Sequence, residues 1–218
     1  MKCFAFDFDG VLVDSYSCLP SVYKKLAEYF GIEDDEFIEE AIKLEDKYDA
    51  MEVFDRRRWW ESFFKKYGIL DIERALQIYW DERIKESRIM KNCVGTLKWL
   101  KRGNILAMVA GNDGIKSMKR RRIEKSGLAG FFDEILIVNE EINSKLDGIL
   151  YLMKKYGLNE KEIIFIDDKP MSINQVKNRL KNVIAVKMEF QSILKEAWKG
   201  DCKADYKIKS LIELKDLF

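Results

Sequence analysis

Histidine is missing from the 218 residues, proline occurs only twice, and the four cysteines stand far apart. With no histidine and no CxxC spacing among Cys3, Cys18, Cys93 and Cys202, a zinc site has no ligand set to grow from. The chain is also too long to be a small disulfide-stapled secreted domain, so a reducing intracellular compartment is expected. No apolar run approaches the roughly 20 residues of a membrane-crossing helix. The opening lacks a signal-peptide pattern because Asp7 interrupts its apolar residues almost at once, and the expected location is cytoplasmic. A dominant charge is lacking too. With 39 Lys and Arg against 38 Asp and Glu, the net charge of +1 gives no global field to recruit nucleic acid, an anionic membrane or an acidic protein. The partner expected from these absences is a small molecule recognised by local chemistry, and nothing fixes the oligomeric state.

What is present is a globular composition, 47% hydrophobic and 35% charged, and an unusual opening. The stretch CFAFDFDG reads as a short buried strand over residues 3–8 that ends by placing Asp7 and Asp9 two residues apart. In a strand that spacing puts both side chains on one face. Two carboxylates about 4 Å apart repel by roughly 1 kcal/mol in water, and by several times that when partly buried, unless a cation lies between them.

Residues 19–86 then read as helix after helix. Leu19, Val22, Tyr23, Leu26 and Phe30 make one apolar stripe, Phe37, Ile38, Ala41 and Ile42 a second, Phe54, Phe63, Phe64 and Tyr67 a third, and Ala75, Leu76, Tyr79 and Trp80 a fourth. The aromatic crowd there, Trp59 and Trp60 included, is expected to be core. From about residue 92 strands and helices alternate, with strands at 105–110, 134–138, 163–167 and 182–186 and a helix over 147–156. Strands apolar on both faces and separated by helices predict an α/β fold, a Rossmann-like parallel sheet covered by helices, with an all-helical block inserted after the first strand. Ligands in open sheets of this kind bind at the carboxyl ends of the strands. Those ends carry Asp7 and Asp9, then Gly111 and Asn112, then Asp167 and Asp168. Four aspartates at two strand ends that can lie side by side suit a hard divalent cation such as Mg²⁺.

The segments DFDGVLVDS, ILAMVAGND, NSKLDGILYLMKKYGL and IIFIDDKP resemble, in order and spacing, the four motifs of the haloacid dehalogenase-like hydrolase superfamily. The branch they are most similar to holds phosphoglycolate phosphatase and β-phosphoglucomutase. The resemblance implies a core of residues 1–15 and 89–218, with a helical cap at 16–88. It implies Asp7 as a nucleophile that becomes an aspartyl-phosphate, Asp9 as general acid and base, and Lys145 beside the phosphate and nucleophile. By the same resemblance Mg²⁺ is held by Asp7, the Asp9 carbonyl and Asp168, with Asp167 acting through water; Gly111 and Asn112, at the end of the strand over 105–110, are expected to hydrogen-bond the phosphate in place of a family hydroxyl. The function implied is Mg²⁺-dependent hydrolysis of a small phosphorylated metabolite. The alternatives are a phosphosugar mutase using the same site and a weakly active or non-catalytic phosphometabolite binder.

One departure stands out. Ala110 occupies the position where the family places a Thr or Ser whose hydroxyl reaches the phosphoryl group. Retention of Asp9, in contrast, points away from the dehalogenases, which have no leaving alcohol to protonate. The basic runs Arg56–Arg58 and Lys119–Arg122 fall on predicted helices and read as solvated faces, with one arginine of the first run within reach of a substrate anion.

Overall fold

A strand that is apolar on both faces must be covered on both faces, and the computed structural model, which describes residues 1–34 and 36–218, meets that demand for the first strand. The chain runs β1 (Cys3–Phe6), β2 (Val13–Asp14), α1 (Leu19–Phe30), α2 (Glu36–Ala50), α3 (Arg57–Lys66), α4 (Ile72–Glu86), β3 (Arg88–Ile89) and α5 (Cys93–Leu100). It continues through β4 (Ile105–Ala110), α6 (Met118–Lys125), β5 (Glu134–Ile137), α7 (Lys145–Tyr156), β6 (Ile163–Asp167), α8 (Pro170–Arg179), β7 (Ile184–Met188), β8 (Tyr206–Ile208) and α9 (Leu214–Leu217). Six strands form one parallel sheet in the order β5-β4-β1-β6-β7-β8, so β1 lies between β4 and β6. Phe4, Phe6, Leu106 and Met108 enter one apolar cluster with Leu97 of α5 and Ile123 of α6. Cys3, Ala5, Ala107 and Val109 enter another, with Ile149 of α7 and Ile173 of α8. The α/β sheet with its inserted helical block is the predicted fold class.

The sequence reading runs β1 two residues too far. The amides of Leu12 and Val13 both donate to the Phe8 carbonyl, which turns the chain out of the sheet before residue 8. β7 begins at Ile184, not at 182, and β8, which is short and mostly exposed, has no alternating pattern to announce it. β2 and β3 pair antiparallel, so the two crossings into and out of the helical block are joined as a small ribbon.

α1 to α4 bury a cluster of their own, rich in rings: Tyr23, Phe37, Trp60, Phe64, Tyr79 and Trp80 are essentially inaccessible. Inside it Glu45 of α2 is surrounded by donors. It accepts from the Tyr23 hydroxyl, the Tyr79 hydroxyl at 2.6 Å, Arg56 and, at 3.1 Å, Arg83. Burial alone would raise the Glu45 carboxyl, yet Arg56 and Arg83 bring it down to about 2. Replacing one member of a buried ion group leaves the others uncompensated. Glu45→Ala is therefore expected to destabilise the protein by about 3–5 kcal/mol, read by urea unfolding, with a loss below about 1 kcal/mol contradicting this assignment. Because the folded carboxyl titrates below its unfolded value near 4.5, its contribution is present above that pH and fades as pH falls toward 2.

Candidate active site

Parallel pairing determines what stands at the carboxyl edge of the sheet. Phe6 is in register with Ile166 of β6, and the Asp7 amide donates to the Ile166 carbonyl at 2.9 Å, so Asp7 and Asp167 are neighbours across adjacent strands. Asp168 follows directly. Ligand atoms of Asp7, Asp167 and Asp168 all lie within 4.8 Å of one another, and all three side chains are buried. One ammonium pairs with two of them: Lys145 Nζ, at the first residue of α7, is 2.6 Å from Asp167 Oδ2 and 3.0 Å from Asp7 Oδ2. Ser144 fixes that helix start by accepting from the Asp147 amide at 3.1 Å.

Three carboxylates against one ammonium leave a deficit of positive charge. Burial and then the charge of Asp167 and Asp7 push the Asp168 carboxyl well above the usual carboxylate range, and burial with Asp7 raises that of Asp167 against the opposing pull of Lys145. Asp168 Oδ1 is buried with no hydrogen-bond partner among the described residues. An orphaned carboxyl oxygen beside two more carboxyl groups is the donor set a hard divalent cation takes, so these residues fit Mg²⁺.

The Asp9 carboxylate is not part of that group. It accepts from the Ser15 hydroxyl, from Lys119 Nζ and from Arg122, and the two cations also pair with Asp113 at 3.0 and 2.9 Å. Burial would raise the Asp9 carboxyl, but Arg122, Lys119 and Arg83 hold it well below the usual range. The cation that the DFD spacing called for is thus supplied twice: Lys145 and a metal-type site serve Asp7, and the protein's own side chains serve Asp9. Ser15 extends this arrangement into the helical block, since its carbonyl accepts from Arg83 Nε of α4 at 3.2 Å.

A cavity of about 290 Å³ opens over Asp7, Asp9 and Lys145, with Gly111, Asn112 and Ser144 also on the sheet side and Tyr16, Phe54, Arg56 and Arg83 on the helical side. Asn112 Oδ1 accepts from the Gly114 amide at 2.7 Å, which leaves the side-chain NH₂ as its free donor group. Ala110 does not line the cavity. It shares the face of β4 with Leu106 and Met108, and its methyl is buried in the apolar cluster beneath the site. The expectation that this position faces a phosphoryl group is corrected by strand alternation.

The solvated-face reading of the basic runs is also corrected. Arg56, Lys119 and Arg122 are buried, whereas Arg57, Arg58 and Arg121 are exposed. Lys119 and Arg122 are three apart on α6, beside the buried Ile123, and that spacing was a signal for one inward face. Ser15, Arg83 and Asp113 were not singled out from sequence. Asp113 stands immediately after Asn112, whereas Ser15 and Arg83 meet only through the fold.

The chain belongs to the haloacid dehalogenase-like hydrolase family, whose model matches residues 4–186. No curated protein sequence matches it. Among solved structures it is similar to YfnB of Bacillus subtilis, a proposed HAD-hydrolase bound to magnesium, at 17% identity and TM-score 0.73 over 99% of this chain and 97% of that one. It is similar as well to L-2-haloacid dehalogenase of Xanthobacter autotrophicus with chloropropionic acid covalently bound, at 14% identity and TM-score 0.72 over 100% and 98%. A protein predicted to be a phosphoglycolate phosphatase from Haemophilus somnus matches at 20% identity and TM-score 0.69 over 100% and 97%. Phosphatase-type and dehalogenase structures thus share this fold.

Gly10 gives a test of the carboxylate group. It has φ +73°, and a Cβ there would fall 2.0 Å from Asp168 Oδ2. Gly10→Ala must displace Asp168. Wild-type protein is expected to melt several degrees higher with millimolar Mg²⁺, and the variant to lose that rise. An unchanged rise in the variant would show that Asp168 is not needed for the cation.

Proposed function

We propose that this hydrolase is a Mg²⁺-dependent phosphatase acting on a small phosphorylated metabolite in the cytoplasm, with residues 16–88 as its cap. The observation that carries the reading is the buried group Asp7, Asp167 and Asp168, short of positive charge and holding an unpartnered oxygen. When bound there, a divalent cation would offset the repulsion between a carboxylate nucleophile and a phosphate dianion. Hydrolysis at carbon with loss of a halide has no such dianion to neutralise.

In this reading an Asp7 oxygen attacks phosphorus, the bond to the ester oxygen breaks, and an aspartyl-phosphate forms that water then cleaves. Lys145, already 3.0 Å from Asp7, stays with the nucleophile and the incoming phosphoryl oxygens. The Gly111 and Asn112 donors and Ser144 face the same cavity and orient the group. Asp9 carries a proton to the leaving oxygen only after releasing Lys119 and Arg122. Movement of the helical block would act on Asp9 through Ser15, because Arg83 of that block holds the Ser15 carbonyl and the Ser15 hydroxyl donates to Asp9. The same tether supports a second reading, a phosphometabolite binder with slow turnover, in which Asp9 stays paired.

The two readings separate on p-nitrophenyl phosphate. The phosphatase turns it over with Mg²⁺, loses activity in excess EDTA, recovers poorly with Ca²⁺, and falls to background as Asp7→Asn with the fold intact. Phosphate-ester binding without turnover would favour the binder, and metal-free chloride release from 2-chloropropionate would overturn both.

A further inference from the structure

The connection between β7 and β8, residues 189–205, is too long for a simple turn between adjacent parallel strands that carries no helix of its own beyond one 3₁₀ turn at Glu196–Trp198. It leaves the sheet and reaches the helical block. Leu194 is buried in the aromatic cluster of that block, with Phe190 and Ile193 packed against it. Asp46 of α2 accepts from the amides of both Lys195 and Glu196 at 2.8 Å. A few residues on, the strap returns to the carboxylate group: Trp198 Nε1 donates to Asp168 Oδ2 at 2.8 Å. The indole is held from two sides, edge-on against Tyr16 at 5.1 Å and under Lys169 Nζ at 5.0 Å, and Lys169 itself pairs with Asp49 of α2 at 2.7 Å.

From these contacts we infer that Trp198 is a positioning residue for Asp168, fixing which of its oxygens meets a divalent cation, and that the strap makes this position depend on the seat of the helical block. Oδ2 is engaged by the indole and crowded by Gly10, while Oδ1 is buried and free of partners. An aspartate clamped in this way presents one oxygen. Single-oxygen ligation suits the small octahedral ions Mg²⁺ and Mn²⁺, whereas Ca²⁺ accepts bidentate carboxylates and irregular geometry. Trp198 is therefore a selectivity determinant as well as an orienting donor. No other assignment made above uses Trp198, and the inference rests on the metal reading of the proposed function.

The test measures binding without any phosphate ester. Mn²⁺ titrated into the full-length protein is followed by loss of the free-ion electron paramagnetic resonance signal, and Ca²⁺ affinity is obtained by displacing the Mn²⁺. Trp198→Phe keeps the ring and removes the donor. It is expected to bind Mn²⁺ about 10-fold to 100-fold more weakly, as loss of a hydrogen-bond partner to a metal ligand does, with a smaller change for Ca²⁺ and a melting temperature close to wild type. A role confined to packing would move the melting temperature and leave the Mn²⁺ to Ca²⁺ ratio unchanged, so an affinity within twofold of wild type overturns the assignment. Asp46→Ala, which loosens only the far anchor of the strap, guards against a misfolded first variant. A several-fold Mn²⁺ weakening there supports the coupling, and an unchanged affinity contradicts it. If wild-type protein binds no Mn²⁺, the metal reading itself fails, which is a different result from failure of Trp198 alone.

Discussion

Three buried carboxylates, only two of them paired with the one ammonium beside them, constrain the carboxyl edge of this sheet. Asp7, Asp167 and Asp168 are brought together by backbone pairing between β1 and β6, which their side chains oppose. Their mutual repulsion, strengthened by burial, is met only in part by Lys145. The local design follows from that strain. Gly10 is bare so that its backbone can pass close to Asp168, and an indole takes one Asp168 oxygen while the other has no hydrogen-bond partner among the described residues.

Charge is handled differently a few ångströms away. Asp9 and Asp113 are matched by Lys119 and Arg122 on the sheet side of the cavity, and Glu45 by Arg56 and Arg83 within the helical block. Buried ion groups of this kind give little net stability but penalise any arrangement that separates their members. They therefore fix the relative seat of α2, α4 and α6 around the cavity. Two independent cords join the helical block to the reacting edge: Arg83 through Ser15 to Asp9, and Asp46 through the strap to Trp198 and Asp168. Motion of the block would reach both Asp9 and Asp168.

Much of this was legible in the sequence, for physical reasons that differ by element. The sheet strands other than β8 announce themselves because both of their faces must be apolar, and the helices of residues 19–86 because one face of each must be. Asp7, Asp167 and Asp168 were legible because strand ends bring them to one edge whatever the loops do, whereas Lys145, at the start of α7, was marked only by the resemblance of its segment to a family motif. Lys119 and Arg122 were misread because a basic run looks solvated until a buried acid is found for it, and Asp9 is 110 residues away from Lys119 in sequence. Ala110 was misread because position along a strand was weighed and the face it presents was not. Trp198 carried no signal at all: a tryptophan in an irregular segment acquires meaning only from what the fold places at its indole nitrogen.

The account as a whole rests on a cation completing the Asp7, Asp167 and Asp168 group. Anomalous diffraction from crystals soaked in Mn²⁺ tests this most directly. The account predicts one strong peak about 2.1 Å from carboxylate oxygens of Asp7 and Asp168, with Trp198 still on Asp168 Oδ2. A Mn²⁺ peak on Asp9 and Asp113 instead, or none at the strand ends at millimolar metal, would contradict it.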